Sequence, residues 1–509
     1  MENRLNKLWQ RGIWHLRSGN LDAAQGFFEA MLARDPGHGP ARFRLSMILA
    51  RRGRHEEAIA MAEKLLLDEP HRAEIWTHLA RCQLVVGQAG KALASAERAL
   101  LEPTQEAVTL DSLGVIYSQL GDQTRALALF DSAIARQPDQ ASLHYNRALA
   151  YRADGQTEEA QRDLEACLAL NPLHGKAHLA LANLGKQSET GHHIERLQRL
   201  HEATLAAKGS DELVALALFK ELDDLGRSDE AWATLEPLLQ ARRQQANSGS
   251  LEAGGLFDQL LQRCDAEFVN ALLPAVAPDE QTPIFIVGMP RSGIALLGKL
   301  LGMHSQIHSG GTRLGFSRLL RRESDLANRD NLDAPIFDKL ARLDYGKLGQ
   351  RVRLAVDAQR LGKAHLCESE PMDFLMLPFI ARALPEARFL HVVRDPLDTC
   401  LSILSQPGGD ASLANGDPLA IADYYLRYQG LMQHWHEVLP GRILDVQYES
   451  LVGKPEMILR VVCAFLGLRF EAALRGGPRL HSERIGHWRR YAQQLEPARQ
   501  RLRATGTST

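Results

Sequence analysis

The stretch Pro283–Leu301, PIFIVGMPRSGIALLGKLL, decides how the second half of this chain folds. An apolar run from Pro283 to Val287 meets a Gly-x-Pro-Arg-Ser-Gly turn at Gly288–Gly293, and apolar residues then recur at helical spacing at Ile294, Leu297, Leu300 and Leu301. Strand, basic glycine-bearing loop, helix is the order in which a chain builds an anion cradle. Backbone N–H groups at the helix start converge on a phosphate, the helix dipole favours negative charge, and Arg291 adds a cation. The loop lacks the Gly-Lys-Ser/Thr ending of the Walker pattern, so it predicts a phosphate-binding loop of another kind.

Downstream, short apolar runs alternate with helical stretches, the pattern of parallel βα units. A second run, Ala387–Val393, ends at Arg394-Asp395-Pro396 and leads into a helix over 397–404; a third, Arg442–Tyr448, leads into Glu449-Ser450-Leu451. Ligands of open parallel sheets bind at the carboxyl ends of strands, so Arg291 and Arg394 are predicted to face one crevice. Two arginines there suit a ligand with phosphates at two separated positions. Ser402 shares a helix face with Asp398, four residues earlier.

Upstream the chain repeats itself. Gly19, Gly53, Gly87, Gly121 and Gly155 stand 34 residues apart, and five residues after each comes Ala24, Ala58, Ala92, Ala126 or Ala160. Pro36, Pro70, Pro138 and Pro172 keep the register, with Pro103 one position early. Glycine suits the turn between two helices, alanine their close crossing, and proline the end of the second helix. This pattern resembles the tetratricopeptide repeat. A looser unit follows at Leu225-Gly226, with Ala231 five residues on. Such an array stacks into a superhelix whose concave face holds a peptide or protein partner, or else it supports the second domain or self-association. The period is lost over about 241–280, where Gly/Ser at 248–250, Pro274 and Pro278 mark a junction. The predicted organisation is a repeat array over 1–245, a linker or junction helix over 246–282, and an α/β domain over 283–509.

Composition bounds the function. With 45% apolar residues and a formal net charge of −2, nothing points to nucleic acid, and any anion site must be local. MENRLNKLWQRG reads as no signal peptide, and no window reaches the roughly 18–20 apolar residues of a membrane helix. The six cysteines are scattered without a Cys-x-x-Cys pair, which predicts reduced thiols in a cytoplasmic protein and no structural zinc site.

Taken in order, GMPRSG, ARFLHVVRDPLDTCLSIL, YESLVGKPEMILRVVCAFLGLRFE and IGHWRRYAQQLEP resemble the successive landmarks of the sulfotransferases. The order of domains resembles the bacterial group in which tetratricopeptide repeats precede the sulfotransferase domain, a group similar to tyrosylprotein sulfotransferases. The resemblance implies a P-loop-like α/β fold and, as donor, 3′-phosphoadenosine 5′-phosphosulfate (PAPS), with its desulfated product PAP and no metal. It implies that Pro290, Arg291, Ser292, Gly293, Ile294 and Ala295 hold the 5′-phosphosulfate. Arg394 and Ser402 would hold the 3′-phosphate, and Trp488, Arg489 and Arg490 would close over the nucleotide. The acceptor would be a hydroxyl of a peptide or glycan.

The chain departs from that pattern in its catalytic elements. The family reads Arg-Ser-Gly-Thr-Thr where this chain has Ile294 and Ala295, so both hydroxyl donors are gone; one such donor commonly contributes about 100- to 1000-fold. The expected Gly-Glu base falls in Ile307–Arg313, where no carboxylate stands and Thr312 or a glycine takes its place. The Asp-Lys-x-Pro-x-Asn segment is Glu368-Ser369-Glu370-Pro371-Met372-Asp373, with serine for the cation, and the stretch from Phe470 to Trp488 is short. Glu368, Glu370, His304 and His308 are the substitute bases on offer. Each also has an ordinary reading, as a solvated loop carboxylate or a helix-capping histidine. Three functions remain open: PAPS-dependent sulfuryl transfer, a silent binding module whose repeats engage a partner protein, or, with Ile294 and Ala295 in its wall, a crevice for some other phosphorylated ligand.

Overall fold

The computed structural model describes residues 2–103, 106–206, 211–246, 253–270, 283–311, 315–324, 334–360, 362–408, 416–476 and 482–505. About half of the predicted junction, including Gly/Ser at 248–250, Pro274 and Pro278, lies outside them, as do Thr312 and Arg313. The chain forms two compact units, Met1–Leu184 and Gly185–Thr509. Among the described residues no helix is long and apolar enough to cross a membrane.

The first unit is a run of five helical hairpins followed by the helix Gly175–Ala182. Each predicted turn glycine adopts the left-handed conformation, with φ between 76° and 90° at Gly19, Gly53, Gly87, Gly121 and Gly155. A side chain there would be strained, which is why the same residue returns at each period. The alanines five residues on are all 0% exposed, where a larger side chain would force the paired helices apart. The fourth hairpin shows the closeness directly: a Cβ at Gly114 would lie 2.7 Å from the Phe130 ring.

In the second unit, after the helix Ile194–Ala206, two helices keep the repeat signature. The helices α1 (Glu212–Asp224) and α2 (Ser228–Ala246) flank Gly226, with φ of 76°, and Ala231 is fully buried. Both are tied to the α/β part of the same unit. The Arg242 guanidinium donates to the Leu404 carbonyl at 3.1 Å and to Glu212 at 2.6 Å.

The α/β core is a five-stranded parallel sheet in the order β2-β3-β1-β4-β5. The strands are β1 (Ile284–Gly288), β2 (Ile307–Gly311), β3 (His365–Glu368), β4 (Arg388–Val393) and β5 (Ile443–Gln447). Phe285, Ile286, Val287, Phe389, Leu390 and Val392 are fully buried, as a parallel sheet covered on both faces requires. Each such side chain contributes about 1.5–3 kcal/mol by leaving water. Helix α3 (Ile294–Leu301) follows β1, α4 (Pro396–Leu404) follows β4, and α5 (Pro418–Val438) precedes β5. Because β1 lies between β3 and β4, successive connections leave it in opposite directions, and a crevice opens between the ends of β1 and β4. All six cysteines are buried free thiols.

Candidate functional site

The loop after β1 is shaped by close approach. A Cβ at Gly288 would lie 2.5 Å from the Val392 carbonyl oxygen, and one at Gly293, where φ is 110°, would lie 2.4 Å from the Tyr448 ring. Between them Arg291 takes φ of 71°, the only positive value at a non-glycine among the described residues. That conformation costs an L-residue about 1–2 kcal/mol, and it persists here because the loop is held from both sides. The Ser292 N–H donates to the Met289 carbonyl at 3.1 Å. The Ser292 side chain is 1% exposed and its Oγ has no partner among the described residues. No side chain caps α3; the Leu296 N–H turns back on the Gly293 carbonyl at 3.0 Å, which leaves the Ile294 and Ala295 N–H groups for an anion.

Arg394, just past β4, reaches the same place. Its guanidinium donates to the Arg291 carbonyl at 3.0 Å and the Arg484 carbonyl at 3.1 Å, and it stacks 4.6 Å from the Tyr448 ring centre. Its Nε is buried without a partner, and among the described residues it makes no ion pair with Asp395 or Asp398, although burial raises the Asp398 pKa and the Arg394 charge works to lower it. Those aspartates act on backbone instead. Asp395 caps α4 by accepting from the Leu397 and Asp398 N–H groups, each at 2.9 Å. The Arg291 Nε donates to the Ser402 Oγ at 3.1 Å, so residues 111 apart in sequence meet in one crevice. Although Arg291 is exposed to solvent, desolvation by the crevice walls, then repulsion from Arg484 and Arg394, lowers its pKa. Arg291, Arg394 and Arg484 converge, and among the described residues none forms an ion pair with a carboxylate. Beside them a cavity of about 550 Å³ opens at the ends of β4 and β5, lined by Arg394, Tyr425, Glu449, Gly486 and Arg489 among others.

The segment expected to close the crevice divides its tasks. The buried Asp398 carboxylate accepts from the Gly486 N–H at 2.6 Å and the Trp488 N–H at 2.9 Å. Arg489 lines the cavity, whereas Trp488 is 4% exposed and packs between the guanidinium groups of Arg489 and Arg499. Arg490 turns away and donates to the Asp223 carbonyl at 3.1 Å. The Asp223 side chain in turn accepts from His487 Nε2 at 2.9 Å and from the Tyr491 hydroxyl at 2.8 Å, anchoring the segment on α1.

Other expected residues sit as follows. Pro290 is half-buried in the loop. Ile294 points into the core among Leu297, Leu301 and Leu390, while Ala295 is exposed, so both offer the crevice only backbone. His304 is structural: its Nε2 donates to the Arg469 carbonyl at 2.9 Å and its Nδ1 accepts from the Gln306 N–H at 3.1 Å. His308 is half-buried in β2. The ordinary reading of Glu368 as a solvated loop carboxylate is corrected: it ends β3 and is 1% exposed, because the sheet covers it. Glu370 is half-buried two residues on.

Three participants were not singled out from sequence. Asp373 is buried, and its carboxyl is pushed well above the usual range by burial and then by Glu368 and Glu370. Two carboxylates three and five residues before it were the available signal. Tyr448 and Arg484 touch Arg291 and Arg394 only through tertiary structure, and no local pattern marks them.

In the first unit a groove of about 310 Å³ is lined by Phe43, Arg44, Met47, His78, Arg81 and Ser112 among others. Burial, with Arg81 and His55 nearby, lowers His78 to about 4.

Comparison with known proteins agrees with this division. Residues 283–472 match the sulfotransferase family, and residues 15–113, 109–142 and 141–174 match tetratricopeptide repeats. An uncharacterized protein of Aquifex aeolicus is 23% identical over 67% of this chain and 48% of its own length, so the chain spans about half of that relative. A putative protein-tyrosine sulfotransferase of Caenorhabditis briggsae is 24% identical over 40% of this chain and 70% of its own length. Among solved structures, a thermophilic TPR protein of Thermus thermophilus aligns with 35% of this chain and 98% of its own, at 19% identity and a TM-score of 0.33.

Proposed function

We propose that this chain, which joins tetratricopeptide repeats to a sulfotransferase-family domain, binds PAPS or PAP in the crevice and transfers a sulfuryl group to a hydroxyl acceptor. The observation that carries the reading is the convergence of Arg291, Arg394 and Arg484 without a carboxylate partner among the described residues. Like charges held together in a partly dry crevice repel, and an anion relieves them. The orphaned Ser292 Oγ and the uncapped start of α3 suit the 5′-phosphosulfate, and Arg394 with Ser402 suits the 3′-phosphate. Arg489, reaching the cavity beside Gly486, closes over the nucleotide. In this reading 1–245 is the repeat array, 246–282 a junction and 283–509 the transferase domain. The repeat groove presents a peptide or glycan-bearing protein. The buried free thiols fit a reducing compartment such as the cytoplasm.

A second reading is favoured by specific losses. Ile294 and Ala295 supply no hydroxyl, and Glu368, Glu370 and Asp373 crowd the segment where a lysine would neutralise sulfonate charge. In that reading the domain holds the nucleotide without turnover and the repeats engage a partner. Glu368, Glu370 and His308 stay the candidate bases if transfer occurs.

Calorimetric titration with PAPS and with PAP tests the site. Wild type should bind both, and Arg394→Ala should weaken binding by about 1.5–3 kcal/mol, roughly 10- to 150-fold. Equal affinity in a folded Arg394→Ala protein refutes the crevice assignment. Nucleotide binding without sulfate transfer to any hydroxyl acceptor selects the second reading.

A further inference from the structure

Apart from the arginines of the crevice, β4 and β5 carry a second set of groups on one face. His391 and Asp445 are register partners on the two strands, and His436 descends on them from the last turn of α5. His391 Nδ1 lies 2.7 Å from Asp445 Oδ1, and His436 Nε2 lies 3.0 Å from the same oxygen. The three donor atoms all fall within 4.8 Å of one another. The His391 side chain is 6% exposed, and its remaining nitrogen meets the Tyr428 hydroxyl, so the ring cannot rotate freely. His436 and Asp445 are open to solvent at 39% and 45%. Burial works to raise the Asp445 pKa, but hydrogen bonds and charge from His391 and His436 bring it below the usual carboxylate value.

We propose that His391 Nδ1, His436 Nε2 and the Asp445 carboxylate form a binding site for a zinc-class divalent ion, with the remaining coordination position open to water. Two imidazoles and one carboxylate are a borderline ligand set, suited to zinc or cobalt rather than to magnesium or calcium. Tetrahedral ligation at about 2.0–2.1 Å places ligand atoms about 3.3–3.4 Å apart. The 2.7 and 3.0 Å nitrogen–oxygen separations need only a few tenths of an ångström of widening to reach that, and the two ring nitrogens, within 4.8 Å of one another, close on the ion by movement of the exposed His436. Coordination replaces the two N–H···O contacts. The His391 proton then resides on Nε2, donated to the Tyr428 oxygen, the outer contact that orients a metal-binding histidine. The expectation of no metal drew on cysteine spacing and on the sulfotransferase resemblance, and neither involves these residues. Nor does the site depend on the nucleotide reading.

The test uses the full chain, stripped with a chelator and titrated with Co²⁺ followed by visible absorption, then with Zn²⁺ by calorimetry. Wild type should take up one ion per chain with the absorption of a tetrahedral nitrogen–oxygen site. His436→Ala and Asp445→Asn change solvent-exposed ligands, so both variants should stay folded, which their melting temperatures check. Each should weaken binding by about 100-fold, and Tyr428→Phe by about 10-fold. Zn²⁺ should raise the melting temperature of wild type and not of His436→Ala. Absence of binding to wild type overturns the proposal. So does binding left unchanged by both ligand variants, since the three groups would then be a hydrogen-bonded structural cluster only.

Discussion

Replacing Asp223 by alanine removes the anchor that ties Gly486–Tyr491 to α1. The carboxylate accepts from His487 and from the Tyr491 hydroxyl, and the Arg490 guanidinium stands 4.0 Å away. Tyr491 is fully buried, so its hydroxyl would lose its acceptor inside the protein, at about 1–3 kcal/mol. The His487 contact is charge-assisted by the carboxylate and adds about 1.5 kcal/mol, while Arg490, half-exposed, adds little. The expected loss is about 2–4 kcal/mol, read as a shift in the urea midpoint of the transition that reports the second unit. Asp223→Asn keeps an acceptor for Tyr491 and should lose about 1 kcal/mol. Burial acts to raise the Asp223 pKa, but His487, Tyr491 and Arg490 together bring it below the usual carboxylate value. A depressed carboxylate contributes stability that is present above its unfolded pKa of about 4 and fades as pH falls below that. The gap between wild type and Asp223→Ala should therefore narrow below about pH 4. Because Arg489 shares the anchored segment, nucleotide affinity should fall alongside stability. A midpoint within about 0.5 kcal/mol of wild type, with PAP binding unchanged, would refute the anchoring argument.

Gly293→Ala must place a Cβ at φ of 110° and 2.4 Å from the Tyr448 ring, so it should destabilise by at least about 2 kcal/mol and abolish PAP binding in calorimetry. In the repeat unit, burial raises the Asp111 carboxyl to about 6 despite two hydrogen bonds from Asn146. A raised carboxylate makes the unit more stable as pH falls from about 7 toward 4, and Asp111→Asn should remove that rise in melting temperature. His78, lowered to about 4 by burial, has the opposite sign: its contribution is present above about 6.5 and lost as pH falls toward 4, a loss His78→Gln should suppress. Ala126→Leu, at a fully buried helix crossing, should destabilise by about 1–3 kcal/mol in thermal melts.

Much of the architecture was legible because it is local or periodic. A hairpin that must turn in the left-handed region and then pack closely needs glycine and alanine at the same interval each time, so Gly19 through Gly155 announced the array. The loop from Gly288 to Gly293 was likewise readable as one contiguous strand–turn–helix. The crevice was legible only in part. Arg394 and Ser402 were found through their places beside predicted elements, but Arg484 and Tyr448 carry no pattern of their own. Ile294 and Ala295 showed the missing hydroxyls from sequence, yet only the fold shows Ile294 turned into the core.

The chain by itself thus determined the repeat units, the parallel βα units and the glycine-bearing loop after β1, because each is specified by neighbours within a few turns of backbone. Tertiary structure alone decided which distant groups meet: Arg291 with Ser402 across 111 positions, Asp223 with Tyr491 across 268, and His391 with Asp445 across 54. It also turned Glu368 from an apparent loop carboxylate into a buried neighbour of Asp373. Charge, burial and hydrogen-bond partnership depend on what lies nearby in space, and sequence spacing carries that information only along one element at a time.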